Sequence, residues 1–134
     1  MVPVYLVCGV SGSGKTWACK QVADKFHYIP HDEHFKDHGP FVIREAKTAT
    51  KPIVTESPFG ERVLREELER AGIKVIPVFV IEPPHVVAMR YASREKKSLP
   101  KAALTRSRTI IERALEWKAF NGTSQQVLEY LKQV

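Results

Sequence analysis

Cysteine is scarce, with only Cys8 and Cys19 in 134 residues, and that scarcity excludes a disulfide framework. Cys8 lies in an apolar run and Cys19 in a predicted helix, so a reducing compartment fits best and a cytoplasmic location is expected. Long hydrophobic runs are missing. No stretch approaches the ~18 to 20 apolar residues of a bilayer span, and the Met1-Val2-Pro3 start has neither a basic nor a long apolar leader, so no membrane partner is expected. There is no internal repeat, low-complexity tract or Ser/Gly-rich linker. With 43% hydrophobic and 27% charged residues the chain also lacks the bias of a disordered tail, a collagen-like repeat or a coiled coil. Residues 1–134 are therefore expected to form a single domain, of a size that buries roughly two-thirds of its unfolded surface.

What is present is unevenly spread. From Arg90 to Lys118 there are nine Lys/Arg against three acids, which accounts for the whole net charge of +6. An anionic ligand is expected beside this segment.

Short apolar runs alternate with amphipathic stretches, the pattern of an α/β fold with a parallel sheet. Val4 to Cys8 reads as a central strand buried on both faces. A helix is expected from Lys15 to about Phe26, a short strand at His27 to Ile29, a strand over Lys51 to Thr55 and a helix from Glu61 to Ala71 closed by Gly72. Between His31 and Lys51 the pattern supports only a short helix near Phe41 to Lys47. Val75 to Ile81 is a further strand, and Pro77 within it points to incomplete pairing on one side, near a sheet edge. Pro83-Pro84 opens a helix to about Arg94. A basic break follows at Lys96 to Pro100, then a helix from Lys101 to about Glu116, a short strand at Trp117 to Asn121 and a terminal helix to Leu131.

Gly9-Val10-Ser11-Gly12-Ser13-Gly14-Lys15-Thr16 matches G-x-x-x-x-G-K-[ST] and lies between a buried strand and a helix, the context of a phosphate-binding loop. Gly9, Gly12 and Gly14 let the backbone turn tightly and aim its N–H groups inward, where the helix dipole adds to them. Lys15 then reaches the β- and γ-phosphates, and Thr16 places its hydroxyl on Mg²⁺. ATP and Mg²⁺ are the expected cofactors. Asp32, just beyond the second strand, stands where parallel-sheet folds gather functional groups and can accept a proton from a hydroxyl or hold a metal-bound water; capping a helix is the plainer role open to it. Its neighbour Glu33 points elsewhere. Glu56, after the third strand, faces the γ-phosphate or the acceptor, or is a solvated turn residue. Arg90 and Arg94, four apart on one helix face, can fold over a transferring phosphoryl group, with Lys96, Lys97, Arg106 and Arg108 extending the field and the basic break acting as a lid. His31, Asp32, His34, Asp37 and His38 resemble a metal-ligand set only loosely in spacing.

With these residues in hand, the chain resembles the small P-loop kinases, most closely the kinase domain of polynucleotide 5′-hydroxyl kinases, from Val4 to about Trp117. Ser11 to Ala18, including Ser13 and Trp17, looks like that family's phosphate loop. His31-Asp32-Glu33 stands where the family has its general-base aspartate, and Glu56, ahead of Pro58-Phe59-Gly60-Glu61-Arg62, stands near its third-strand aspartate. Met89 to Pro100 is similar to its lid. The resemblance implies a P-loop NTPase fold with strand order 2-3-1-4, a fifth strand beside the fourth, and a short basic lid. It further implies a kinase that transfers the γ-phosphate of a nucleoside triphosphate to a hydroxyl on a polynucleotide 5′-end, a nucleotide or a nucleoside-like compound. In that reading Asp32, Lys15 and Arg94 are catalytic. Gly9, Ser11, Gly12, Ser13, Gly14, Lys15, Thr16, Trp17 and Arg90 hold ATP. Asp32, Lys36, Glu56 and Arg62 face the acceptor, and Thr16, with Asp32 through water, serves the metal. The family's arginine shortly after the base is absent, Phe35 and Lys36 occupying that neighbourhood. A small-metabolite kinase of the sugar-acid type is the alternative enzyme, and an ATP-binding regulatory module or a nucleic-acid-binding protein are the alternatives of other classes.

Overall fold

Val, Leu and Cys dominate the first strand, β1 (Val4–Cys8), which is apolar on both faces because it lies at the centre of the sheet. The structure is a computed structural model that describes the backbone of residues 1–134 and every side chain except that of Leu104. β1 pairs with β3 (Ile53–Ser57) on one side and β4 (Val75–Val80) on the other; β2 (His27–Ile29) lies outside β3 and β5 (Phe120–Gly122) outside β4. All four pairings are parallel and the order is β2-β3-β1-β4-β5. This is the expected topology with the fifth strand in place. β4 is not itself an edge: Pro77 pairs with Leu6 of β1, but the β5 ladder begins only at Val78, so the proline faces no β5 partner.

Alternation along β1 sends its side chains to two cores. Val4, Leu6 and Cys8 join Val42 and Ala46 of α2 (His38–Thr48), Leu64 and Leu68 of α3 (Glu61–Arg70), Val87 of α4 (Pro84–Glu95) and Ile110 and Ala114 of α5 (Lys101–Glu116). Val7 joins Ala18 and Cys19 of α1 (Lys15–Gln21) and Val127, Leu128 and Leu131 of α6 (Ser124–Gln133) on the opposite face. The result is a three-layer α/β sandwich.

Four boundaries depart from the sequence expectation. α1 stops at Gln21 rather than Phe26, because Val22 to Phe26 turns inward to bury Phe26 edge-on against Tyr5, with centroids 5.3 Å apart. α2 is longer than Phe41 to Lys47, starting at His38. β3 ends at Ser57, so Glu56 is part of the strand rather than beyond it. Trp117 is the C-cap of α5, packed on Phe79, and β5 starts only at Phe120.

Candidate functional site

The loop from Gly9 to Gly14 leaves the carboxyl end of β1 and enters α1, whose N-cap is Gly14 at φ +100° with no capping side chain. The first N–H groups of α1 are therefore open toward an anion. Gly12 also has positive φ, +86°, and a Cβ on Gly9 would lie 2.9 Å from the Val80 carbonyl oxygen, so bulkier residues would distort the turn. Ser13 Oγ is buried without a hydrogen-bond partner among the described residues.

Lys15 is buried, and its Nζ donates to the Val10 carbonyl at 2.8 Å, inside the loop. Burial pulls its pKa down to about 8, with the Glu56 carboxylate opposing. α4 brings two arginines onto the same loop: Arg90 Nη1 donates to the Ser13 carbonyl at 3.0 Å and Arg94 Nη2 to Ser11 Oγ at 2.6 Å. Glu82, just before α4, accepts from Ser124 N and Oγ at 2.7 and 2.8 Å at the start of α6 and lies 3.7 Å from Arg90 Nη1.

Across from these cations stands a wall with the opposite charge. Glu56, 4% exposed, accepts from the Tyr28 hydroxyl through both oxygens, at 2.9 and 2.7 Å, and from the His31 backbone N–H at 3.2 Å. Burial, the hydrogen bond and the charge of Glu56 push the Tyr28 phenol up, which keeps it a neutral donor. Glu56 thereby anchors the short 3-10 turn His31–Glu33, on which the Asp32 side chain is 95% exposed. That turn makes no side-chain cap, so the capping role open to Asp32 is not one it fills.

Loop, arginines and wall enclose one cavity of about 540 Å³. Ser11, Gly12, Gly14, Lys15, Thr16 and Trp17 line it from the loop side, Arg90, Arg94 and Glu95 from α4, and His31, Asp32, Glu56 and Pro58 from the wall. Of the residues singled out in the sequence, Gly9 and Ser13 lie behind this lining as supports of the turn. Lys36 and Arg62 stand outside it. α3 begins at Glu61, so its first turn directs Glu61 into the protein and Arg62 outward, where it binds Glu116 at 3.2 Å. Lys36 lies over the Phe35 ring.

Arg106 is also not part of the free basic field that the charge count suggests. It and Arg113 bind the fully buried carboxylate of Glu61, and Arg106 Nη2 reaches the Pro58 carbonyl at 3.2 Å. Burial alone would raise the Glu61 pKa, but the hydrogen bonds from the two arginines hold it below the usual value. Arg106 and Arg113 are seven apart on α5, hence on one face, and that spacing was the available signal. Within the histidine-rich stretch, His38 Nε2 meets Thr55 Oγ1 at 2.7 Å and His34 stacks on Phe41. Among the described residues no group of three or more His, Cys, Asp or Glu is placed to hold a metal ion.

Neither the protein-family models nor the curated proteins give a match to this chain. Solved structures do. The tunicamycin resistance protein of Deinococcus radiodurans superimposes with a TM-score of 0.77 at 14% identity, over 97% of this chain and 93% of that one. Shikimate kinase of Acinetobacter baumannii gives 0.65 at 14% identity, over 99% and 92%, and a gluconokinase of Sinorhizobium meliloti gives 0.62 at 19%, over 95% and 87%. The chain has the fold of the small P-loop kinases.

Proposed function

We propose that the protein is an ATP- and Mg²⁺-dependent phosphotransferase that acts on a hydroxyl acceptor. The observation that carries this reading is the division of one cavity into a cationic half, Lys15, Arg90 and Arg94 around the loop, and an acidic half with an exposed carboxylate, Asp32. The polyphosphate fits the first half. The open N–H groups of α1, the Ser13 Oγ that has no partner among the described residues and a lysine bonded to a neutral carbonyl are groups that a bound anion would satisfy. Mg²⁺ held by Thr16 Oγ1, with Asp32 reached through water, would supply further charge stabilisation. Trp17, Arg90 and Ser124 surround the space beside Gly14 and would flank the rest of the nucleotide.

In the transfer step the acceptor oxygen forms a bond to the γ-phosphorus and the bond from that phosphorus to the β–γ bridging oxygen breaks. The hydroxyl proton passes to Asp32, and the nucleoside diphosphate leaves. Lys15 and Arg94 stabilise the charge on the moving group. Glu56 positions the turn that carries Asp32. The basic break after α4 acts as the lid. A nucleotide, a nucleoside-like compound or a polynucleotide end is the acceptor class drawn from the sequence. The gluconokinase and shikimate kinase neighbours support a small-metabolite acceptor as the second reading. Two variants test the enzyme itself. Lys15→Ala should lose nucleotide binding, while Asp32→Asn should keep it and lose transfer; an Asp32→Asn variant with a wild-type transfer rate would remove the proposed base.

A further inference from the structure

The acidic half of the cavity says more about the acceptor. The cations that line the cavity, Lys15, Arg90 and Arg94, all bond to the phosphate loop. The opposite wall carries two carboxylates, Asp32 and Glu56, and among the described residues no cation. Arg106 reaches the wall at the Pro58 carbonyl but is bound to Glu61, and the other cations near these residues in sequence stand outside the lining: Arg62 with Glu116, Arg44 beside Asp37 and over the Phe41 ring, and Lys36 over the Phe35 ring. Lys96, Lys97 and Lys101 are exposed beyond Glu95 and do not line the cavity. An acceptor bearing a carboxylate or a phosphate would meet two like charges there and no counter-ion.

Next to the wall stands an aromatic pair: His31, which lines the cavity, and Phe59, which does not line it but packs against His31 and follows the lining residue Pro58. Phe59 is 67% exposed and sits edge-on to the His31 ring with centroids 5.8 Å apart. Its backbone is held from both sides, since Ser57 Oγ donates to the Phe59 carbonyl at 2.7 Å and Arg106 grips the Pro58 carbonyl. The ring stands on a fixed loop next to Pro58, which lines the cavity, so its exposed face is available to a ligand that enters there.

On the kinase reading above, we propose that the acceptor is an uncharged alcohol with a flat apolar face, seated against Phe59 and His31, which narrows the acceptor classes given there to their uncharged members and removes nucleotides and sugar acids. The wall selects against the anion by repulsion and for the ring by contact.

The experiment measures transfer of γ-labelled phosphate from ATP to matched pairs that differ by one anionic group: uridine with uridine 5′-monophosphate, and phenyl glucoside with phenyl glucuronide. The neutral member of a pair is expected to be the better acceptor by about 100-fold in kcat/KM. Equal or better transfer to the anionic member overturns the inference and leaves the kinase reading standing. Label on none of these compounds and none on a 5′-hydroxyl oligonucleotide, with ATP bound, refutes the kinase reading and this inference with it; label on the oligonucleotide alone overturns the inference and leaves the kinase reading standing. Phe59→Ala removes an exposed ring and should raise the KM for the neutral acceptor about tenfold with kcat and the KM for ATP unchanged; an unchanged acceptor KM overturns the proposed seat.

Discussion

Lys15 is kept buried at a cost to stability, and replacing it should make the protein more stable while abolishing nucleotide binding. Its pKa falls from 10.5 to about 8, chiefly through burial. At about 1.36 kcal/mol per pKa unit, keeping the charged form folded costs about 3 kcal/mol. Lys15→Met retains the shape of the stem and removes the charge, at the loss of the hydrogen bond to the Val10 carbonyl, worth about 1 kcal/mol. The net gain is about 2 kcal/mol, or a Tm increase of about 7 °C for a domain of this size. The sign with pH is fixed. The folded pKa lies below the unfolded one, so the cost is present in full below about pH 8 and fades as pH rises toward 10.5, where both states lose the proton. Thermal unfolding of both proteins at pH 7 and pH 9.5 measures the difference directly. A variant that melts at or below the wild-type temperature at pH 7, or a gap that does not narrow at pH 9.5, would show that the buried charge of Lys15 does not cost stability.

Arg94→Ala should lower kcat about 100-fold while the KM for ATP changes less than about threefold, since its contact is proposed to strengthen as charge develops; steady-state kinetics separates the two. Glu61→Ala leaves Arg106 and Arg113 facing each other without their carboxylate and should cost about 3 to 5 kcal/mol by urea unfolding. Thr55 Oγ1 donates to the Ile29 carbonyl at 2.6 Å, so His38 Nε2 is the donor to Thr55. Burial, with His31 and His34 nearby, pulls its pKa down to about 4. The unfolded state then binds the extra proton first, and stability should fall by about 3 kcal/mol as pH drops from 6.5 to 4. His38→Gln, followed by unfolding at pH 7 and pH 4.5, should remove most of that slope.

The two ends of the legibility scale are set by local and by long-range physics. The phosphate loop was readable because its chemistry is written in eight consecutive residues, bracketed by an apolar run and a helix. The order of the strands followed from the alternation of apolar runs together with the family likeness. Asp32 lines the cavity from the turn that follows β2, and that end-of-strand position is a local property of the sequence. Arg106 and Arg62 were not legible as to partner: Arg106 lies in a basic stretch and Arg62 in a helix of mixed charge, and only the placement of α5 beside α3 spends one on Glu61 and the other on Glu116. The Tyr28 to Glu56 link likewise joins residues 28 apart in sequence across neighbouring strands, and no local pattern announces it. α1 ends early for a tertiary reason, the burial of Phe26, against its helical pattern.

On the proposed function, the cavity moves a phosphoryl group to a hydroxyl rather than to water or not at all. The most direct test of this is the partition of the γ-phosphate of labelled ATP between an alcohol and free phosphate, followed by ³¹P NMR in the wild-type protein and in Asp32→Asn. The expected result is a phosphomonoester resonance that grows with acceptor concentration and is lost in the variant, while nucleotide binding persists in both. Inorganic phosphate as the sole product at every acceptor concentration, or an ester formed equally well by Asp32→Asn, would contradict it.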